Sequence, residues 1–214
     1  LQQKIHQVEH HRSHLASAFY ASPFEEAALL SIDGSGDFST TMLGIGNGTN
    51  IEVIDSIDFP HSVGIFYTAF TQWLGFPHYG DEYKVMGLAP YGEPKYVQQL
   101  HKVLHLKNNG LFELDLSYFR SPSKGFVGYG EDHLPVVPAL YGHKLIEAFG
   151  ASRKKEDTLT QYHKDMAASV QRFTEETIFH ILTALHQQTQ FDAVCIAGGV
   201  AQNSVANGKI TRNT

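Results

Sequence analysis

Residues 191–210 read FDAVCIAGGVAQNSVANGKI, and the architecture turns on how they are interpreted. FDAVCIA has the apolar, β-branched character of a buried strand, paired glycines follow, and the remainder has the composition of a helix that is beginning. A strand that passes through Gly198 and Gly199 straight into a helix is a building unit of an α/β fold. The same geometry aims the free N–H groups and positive end of the helix at whatever lies before it. Gly198 and Gly199 are therefore candidate ligand-binding residues. A tight turn in which the glycines merely allow close packing accounts equally well for the pattern. Cys195, on the strand, reads as a small buried hydrophobe rather than a nucleophile.

Upstream, residues 161–188 carry Met166, Val170, Phe173, Ile178, Ile181, Leu182 and Leu185 as one apolar stripe, which predicts a single long helix. At the other end, Ile5, Val8, Leu15 and Phe19 fall at helical spacings within residues 4–20, with Pro23 just beyond, and predict an amphipathic helix. AALLSI, TTMLGIG and IEVIDSI follow as three short strands, joined through DGSGD and GNGTN, and predict a β-meander. Helices are expected over residues 63–74, 80–89 and 93–105, and a strand over 110–119. Residues 121–160, rich in glycine and proline, are left unassigned as an insertion or a substrate-facing loop. No internal repeat is visible.

The 214 residues are 42% hydrophobic, enough for a real core. A formal net charge of −6 leaves no basic field for a nucleic-acid backbone, and the basic cluster SRKKED is neutralised by its own acids. A nucleic-acid partner is thereby disfavoured. One cysteine excludes an internal disulfide framework, and no apolar run approaches the roughly 18 residues that span a bilayer. A cytoplasmic location without membrane partners is the expectation. A first residue other than Met, and a last stretch that stops inside a helix start, lead us to expect a fragment.

EHHRSH, residues 9–14, gathers three of the chain's thirteen histidines. His10 and His14 stand four apart, so on a helix they share a face with Cβ atoms about 6 Å apart, within reach of one metal ion. His11 is rotated away by about 100°. Two histidines are an incomplete set; a carboxylate would make the two-His-one-carboxylate arrangement that suits iron or another divalent ion. Solvated or hydrogen-bonded histidines are the alternative. The stretch is not HExxH, because His11 stands where the general-base Glu would be. The turn after the first strand, with Gly34, Ser35 and Gly36, can cradle a phosphate on its amides or serve as an ordinary hairpin connection. HYGDEYKVMGLAPYG sets Asp81, Glu82 and Lys84 in one turn, as a helix cap with a local ion pair or as contacts to sugar hydroxyls or phosphate. Gly87 costs about 1 kcal/mol in a helix interior, which predicts a close neighbour or ligand.

Taken in order, EHHRSHLASAFYASPFEEAALLSIDGSGDFSTT, GDEYKVMGLAPYG and AGGVAQNSVANGKI resemble the nodulation-type O-carbamoyltransferases, the family that also modifies cephem and aminoglycoside antibiotics. The resemblance covers nearly the whole chain. EYKVMGLAPYG is specific to that family, whereas the histidine pair and the Gly-Gly-Val-x-x-Asn loop are shared with the tRNA threonylcarbamoyl and hydrogenase-maturation carbamoyl transferases.

The resemblance implies an α/β fold of the actin-like ATPase (ribonuclease H-like) kind, present in part, with a mixed sheet flanked by helices. It implies that residues 1–214 belong to an amino-terminal carbamoyl-transfer domain, separate from a carboxy-terminal carbamoyl-adenylate synthase domain. Carbamoyl phosphate and ATP would give carbamoyl-adenylate, which a hydroxyl of a sugar-like or natural-product acceptor attacks. By similarity, His10 and His14 match the metal ligands, iron being the expected ion, with a third ligand, an Asp, expected beyond Thr214. Gly198, Gly199, Val200 and Asn203 match the adenosine-side loop, Gly34, Ser35 and Gly36 a phosphate-facing turn, and Asp81, Glu82 and Lys84 a further nucleotide-facing segment. Gln202 and HYGDEYK depart from the usual family residues, and the amino-terminal strand of an actin-like fold is missing. The catalytic base is not assigned; Asp115 and His11 are candidates by chemistry alone. A tRNA threonylcarbamoyl transferase and a non-enzymatic actin-like nucleotide-binding scaffold are the alternatives.

Overall fold

In the computed structural model, which describes residues 5–120, 129, 133 and 137–214, the helix α1 (His10–Tyr20) leads into a meander of β1 (Glu26–Ile32), β2 (Ser39–Asn47) and β3 (Asn50–Asp58). Then come α2 (Val63–Trp73), α3 (Glu82–Leu88), the single turn α4 (Val97–Leu100), β4 (Leu104–Leu106) and β5 (Phe112–Leu114). The chain continues through α5 (His143–Phe149), the long α6 (Gln161–Thr189), β6 (Val194–Ala197) and the short α7 (Ser204–Asn207) and α8 (Ile210–Asn213). The fold is mixed α/β. No described helix is long and apolar enough to cross a membrane.

Two compact units divide the chain, one formed by Leu1–Gly64 with Ile181–Thr214 and the other by Ile65–His180. The first holds a four-stranded mixed sheet in the order β3-β2-β1-β6. β1, β2 and β3 are antiparallel, as their connections require, and Gly48 at φ +56° supplies the left-handed residue of the β2–β3 turn. β6 lies parallel to β1, with Leu29 opposite Cys195 and Ser31 opposite Ala197. Every residue of β1 after Glu26 is buried, as befits a strand with a neighbour on each side.

The helix α1 covers one face of this sheet. Leu15 and Phe19 pack with Ala27, Leu29, Met42 and Cys195 in one apolar cluster. Two glycines of β2 make the groove they occupy: a Cβ on Gly46 would stand 2.6 Å from the Phe19 ring, and one on Gly44 would stand 3.3 Å from Leu15.

The second unit carries the small β4–β5 hairpin and α3, α4 and α5, with the aromatic core residues Phe66, Phe70, Trp73 and Phe173 buried. Its buried Asp165 accepts hydrogen bonds from the Glu93 amide, Lys95 Nζ and Gln161 Nε2 at 2.8–2.9 Å.

Three expectations are corrected. The first helix begins at His10, not near residue 4, because Glu9 is extended and its carboxylate caps the helix by accepting the Arg12 amide at 2.7 Å. Ile5 and Val8 are consequently outside the apolar stripe and exposed. The helix expected over 93–105 shrinks to one turn, since burying Val103 and Leu104 and pairing β4 with β5 outweighs local propensity. The strand expected over 110–119 stops at Leu114, where Asp115 accepts the Ser117 amide and turns the chain into a 3-10 turn, Leu116–Tyr118. Of the unassigned stretch 121–160, most of 121–136 lies outside the described residues.

Candidate metal centre

The helix α1 runs antiparallel to β1, and their repeats match. Four residues of helix rise about 6 Å and two residues of strand advance about 6.6 Å, so each helical turn meets the next residue on the same strand face. Phe19 and Leu15 thus meet Ala27 and Leu29 in the core, and His11 meets Ser31. Just past the carboxyl end of β1, His10 and His14, on either side of His11 in the helix, lie beside Asp33.

His14 Nε2 lies 3.0 Å from His10 Nε2 and 3.1 Å from Asp33 Oδ2, and His10 Nε2 lies 3.4 Å from the same oxygen. Three donors bound at about 2.1 Å, with angles between about 90° and 110° at the ion, would be separated by about 3.0 to 3.4 Å. The observed triangle has those edges, and its donor set is two imidazoles and one carboxylate on a common side. The residues present therefore fit a divalent metal. Side-chain exposures of 40%, 30% and 23% for His10, His14 and Asp33 leave the centre open on one side. Among the described residues this is the group of three such ligands within reach of one ion.

Burial alone would raise the Asp33 carboxyl. The amides of Gly34 and Gly199, together with His10 and His14, outweigh it and hold the group below its usual range, so it is ionised near neutrality. Gly199 arrives there by register. Because Ser31 faces Ala197 in parallel strands, Asp33 and Gly199 leave the carboxyl ends of β1 and β6 together, at the edge where open α/β sheets place ligands. The glycines themselves are explained by packing. A Cβ on Gly198, at φ +101°, would lie 2.3 Å from the Ile32 carbonyl oxygen, and one on Gly199 would lie 2.7 Å from Asp33 Oδ1. Val200 opens a 3-10 turn, and Asn203 caps α7 by accepting the Ala206 amide.

In the turn after β1, the Gly34 amide donates to Asp33 Oδ1 at 2.7 Å and the Gly36 amide to the Ser39 carbonyl at 2.8 Å, so two of its candidate anion-binding groups are spent internally. Ser35, Gly36, Asp37, Phe38, Asp58 and Phe59 line a hollow of about 450 Å³. A second, of about 470 Å³, is lined by Val8, His10, Ser13, His14, Ser17 and Asp37. Asp37 borders both, and its carboxylate accepts the His10 amide at 3.1 Å.

The remaining candidates have other duties. His11 is fully buried, with Nδ1 2.7 Å from Ser31 Oγ and Nε2 2.8 Å from the Ser39 carbonyl oxygen. Desolvation lowers its pKa despite the Ser39 bond and nearby Glu9, and a ring engaged at both nitrogens cannot serve as a general base. Asp115 is paired with Lys144 at 2.7 Å, which with Ser117 lowers its carboxyl to about 2 and makes it a poor base. Both stand corrected as base candidates. In the second unit, Asp81 is buried and paired with Lys84 at 2.6 Å, Glu82 accepts from Thr68 Oγ1 at 2.6 Å, and Lys84 lies over the Phe76 and Tyr83 rings. The local ion pair is present, whereas Asp81 stands at the N-cap position without a side-chain hydrogen bond to the helix, its carboxylate accepting the His78 amide at 3.2 Å instead. Nothing comes within 4 Å of a Cβ built on Gly87, so the predicted close neighbour is absent among the described residues. Cys195 is buried.

Asp33 is the residue that the sequence does not single out. Its signal was present in the alternation of β1, which puts residues 27, 29, 31 and 33 on the face that α1 covers.

The family described as Carbamoyltransferase N-terminus matches residues 1–214. An uncharacterized protein of Synechocystis, sll1178, is 43% identical over 95% of this chain and 31% of its own length. Nodulation protein NolNO of Sinorhizobium fredii is 36% identical over 98% of this chain and 28% of its own. Nodulation protein NolO of Bradyrhizobium diazoefficiens is 34% identical, with corresponding shares of 95% and 33%. The chain spans about a third of the length of these curated relatives.

Proposed function

The chain belongs to the carbamoyltransferase family by a match along all of residues 1–214, and on that premise we propose that its protein is an O-carbamoyltransferase. A carbamoyl group passes from carbamoyl phosphate, by way of carbamoyl-adenylate made with ATP, to a hydroxyl of a sugar-like or natural-product acceptor. These soluble co-substrates favour a cytoplasmic reaction. The present residues serve as the amino-terminal, carbamoyl-transfer part, and the meander with a parallel strand beside β1 supports an actin-like architecture for it.

One observation carries the reading. His10, His14 and Asp33 form a set of donors at metal-binding spacing, beside the diglycine elbow. In this reading the three residues hold a divalent ion, iron being favoured by the donor set. Such an ion supplies Lewis-acid polarisation of a carbonyl or phosphoryl oxygen. Carbamoyl-adenylate is a mixed anhydride whose adenylate leaves readily, so the tasks left to the protein are orientation and charge stabilisation. The amides of Gly34 and Gly199 keep Asp33 ionised and fixed, and His11 keeps α1 in place. The hollow along His10, His14 and Asp37 offers the acceptor a route to the open side of the centre.

The test is transfer by the full-length, metal-loaded protein given ATP, carbamoyl phosphate and a panel of sugars, read by mass spectrometry. A gain of one carbamoyl group on an acceptor, lost in His14→Ala and Asp33→Asn, is the expected result. Failure of the loaded protein to consume carbamoyl phosphate, or transfer indifferent to both substitutions, overturns the proposal.

A further inference from the structure

His11 sits between two proposed metal ligands in sequence, yet its ring nitrogens are engaged by Ser31 and Ser39 and it has no exposed surface. Its neighbours on the helix's buried side, Leu15 and Phe19, are apolar. An imidazole in the same row is costly unless both nitrogens are satisfied, and an apolar side chain there would serve packing equally well.

Both nitrogens are satisfied, and the partners assign the protons. The Ser39 carbonyl can only accept, so Nε2 carries the hydrogen; Nδ1 then accepts from the Ser31 hydroxyl. Ser31 lies two residues before Asp33 on the same face of β1, and Ser39 opens β2. The ring therefore ties α1 to the two strands on either side of the turn that bears Asp33. Gly36, in that turn, packs so closely on the assembly that a Cβ would stand 2.7 Å from His11 Cδ2 and 3.0 Å from His10 Cδ2.

We propose that His11 is a positioning residue for the metal centre: its two hydrogen bonds lock the rotation of α1 and thereby set the distances from His10 and His14 to Asp33. The need for such a lock follows from leverage. An atom at the outer radius of a helix, about 5 to 6 Å from its axis, moves about 1 Å for each 10° of rotation. Metal–ligand distances tolerate about 0.2 Å. Apolar packing of Leu15 and Phe19 is not directional and resists small rotations weakly, whereas two hydrogen bonds to two different strands are directional and resist them.

This inference rests on the metal reading above, and cobalt(II) tests the two separately. The full-length protein, stripped of metal, is titrated with cobalt(II); the visible ligand-field bands report geometry, and chelator competition gives the affinity. His11→Gln keeps a donor for the Ser39 carbonyl, His11→Phe keeps the volume without either bond, and Ser31→Ala removes the partner of Nδ1. We expect His11→Gln to bind within about threefold of wild type with the same spectrum. His11→Phe should weaken binding by about 10- to 100-fold with altered bands, the range found for outer-shell partners, with circular dichroism unchanged. Ser31→Ala should weaken it by up to about tenfold. Wild-type affinity and spectrum in His11→Phe, or in Ser31→Ala should His11→Phe fail to fold, overturn the positioning role alone. So does a loss in His11→Gln as large as in His11→Phe. A wild-type protein that binds no cobalt(II) overturns the metal reading itself.

Discussion

Gly199 stands against Asp33 so closely that a single added methyl group would lie 2.7 Å from the Asp33 carboxylate oxygen Oδ1. The amide of Gly199 also helps to keep that carboxyl ionised. The two residues are far apart in sequence and are joined by the parallel register of β1 and β6. Through this pair, the elbow near the end of the chain and the histidine helix near its beginning share one group.

Gly199→Ala is therefore expected to push the carboxylate away from His10 and His14 while leaving the sheet intact. Metal affinity should fall by about tenfold or more, within the range for groups that orient a ligand, with a small change in melting temperature. Gly198→Ala should act differently: at φ +101°, with the Ile32 carbonyl 2.3 Å from its Cβ, it forces strain on the backbone and lowers global stability. Comparing chelator competition with thermal unfolding for the two variants separates these effects.

Removal of a donor should exceed any of these losses. His10→Ala, His14→Ala and Asp33→Asn are each expected to weaken divalent-metal binding by more than about 100-fold, beyond the outer-shell range, and to abolish carbamoyl transfer. Equilibrium dialysis with metal analysis checks the first expectation, and the transfer assay the second.

The groove that seats α1 predicts a pair of stability effects. Phe19→Ala removes a buried ring and should cost about 3 to 5 kcal/mol. Gly46→Ala places a methyl 2.6 Å from that ring and should cost about 1 to 3 kcal/mol by overpacking. Urea unfolding should show both as lower midpoints at constant m-value, and because the residues touch, the double mutant should cost less than the two single costs added together.

Acid should unmask Asp165. Lys95, the Glu93 amide and Gln161 lower its carboxyl from 3.8 to about 2. Between those values the unfolded chain binds more protons than the folded one, so stability rises with pH through the window and is lost as pH falls toward 2. The full contribution is present above pH 4 and gone once the folded group is protonated. Asp165→Asn should be less stable than wild type at neutral pH, and the gap should close on acidification through that window. Urea midpoints measured from pH 5 to pH 2 check this.

Much of the architecture was legible from periodicity. The stripe from Met166 to Leu185 announced a helix, found as Gln161–Thr189, and the glycine-bearing connections announced the meander. Legibility failed where tertiary contacts overrode propensity, as where Leu104 left its expected helix to pair with Leu114. It failed too where a side chain's duty depended on what it met. His11 and His14 carry the same imidazole, yet one is sealed between Ser31 and Ser39 and the other is open toward Asp33.

By itself the sequence determined the local elements, because hydrophobic period, glycine placement and helix spacing act between residues a few positions apart. It determined also that His10 and His14 would face one way. Only the tertiary structure decided that Asp33 lies beside that pair, that Gly199 stands against it, and that the His11 nitrogens are taken up by Ser31 and Ser39. Those outcomes depend on the matching advance of a helix and a strand and on the register of two strands separated by most of the chain, and neither quantity is written in any short stretch of residues.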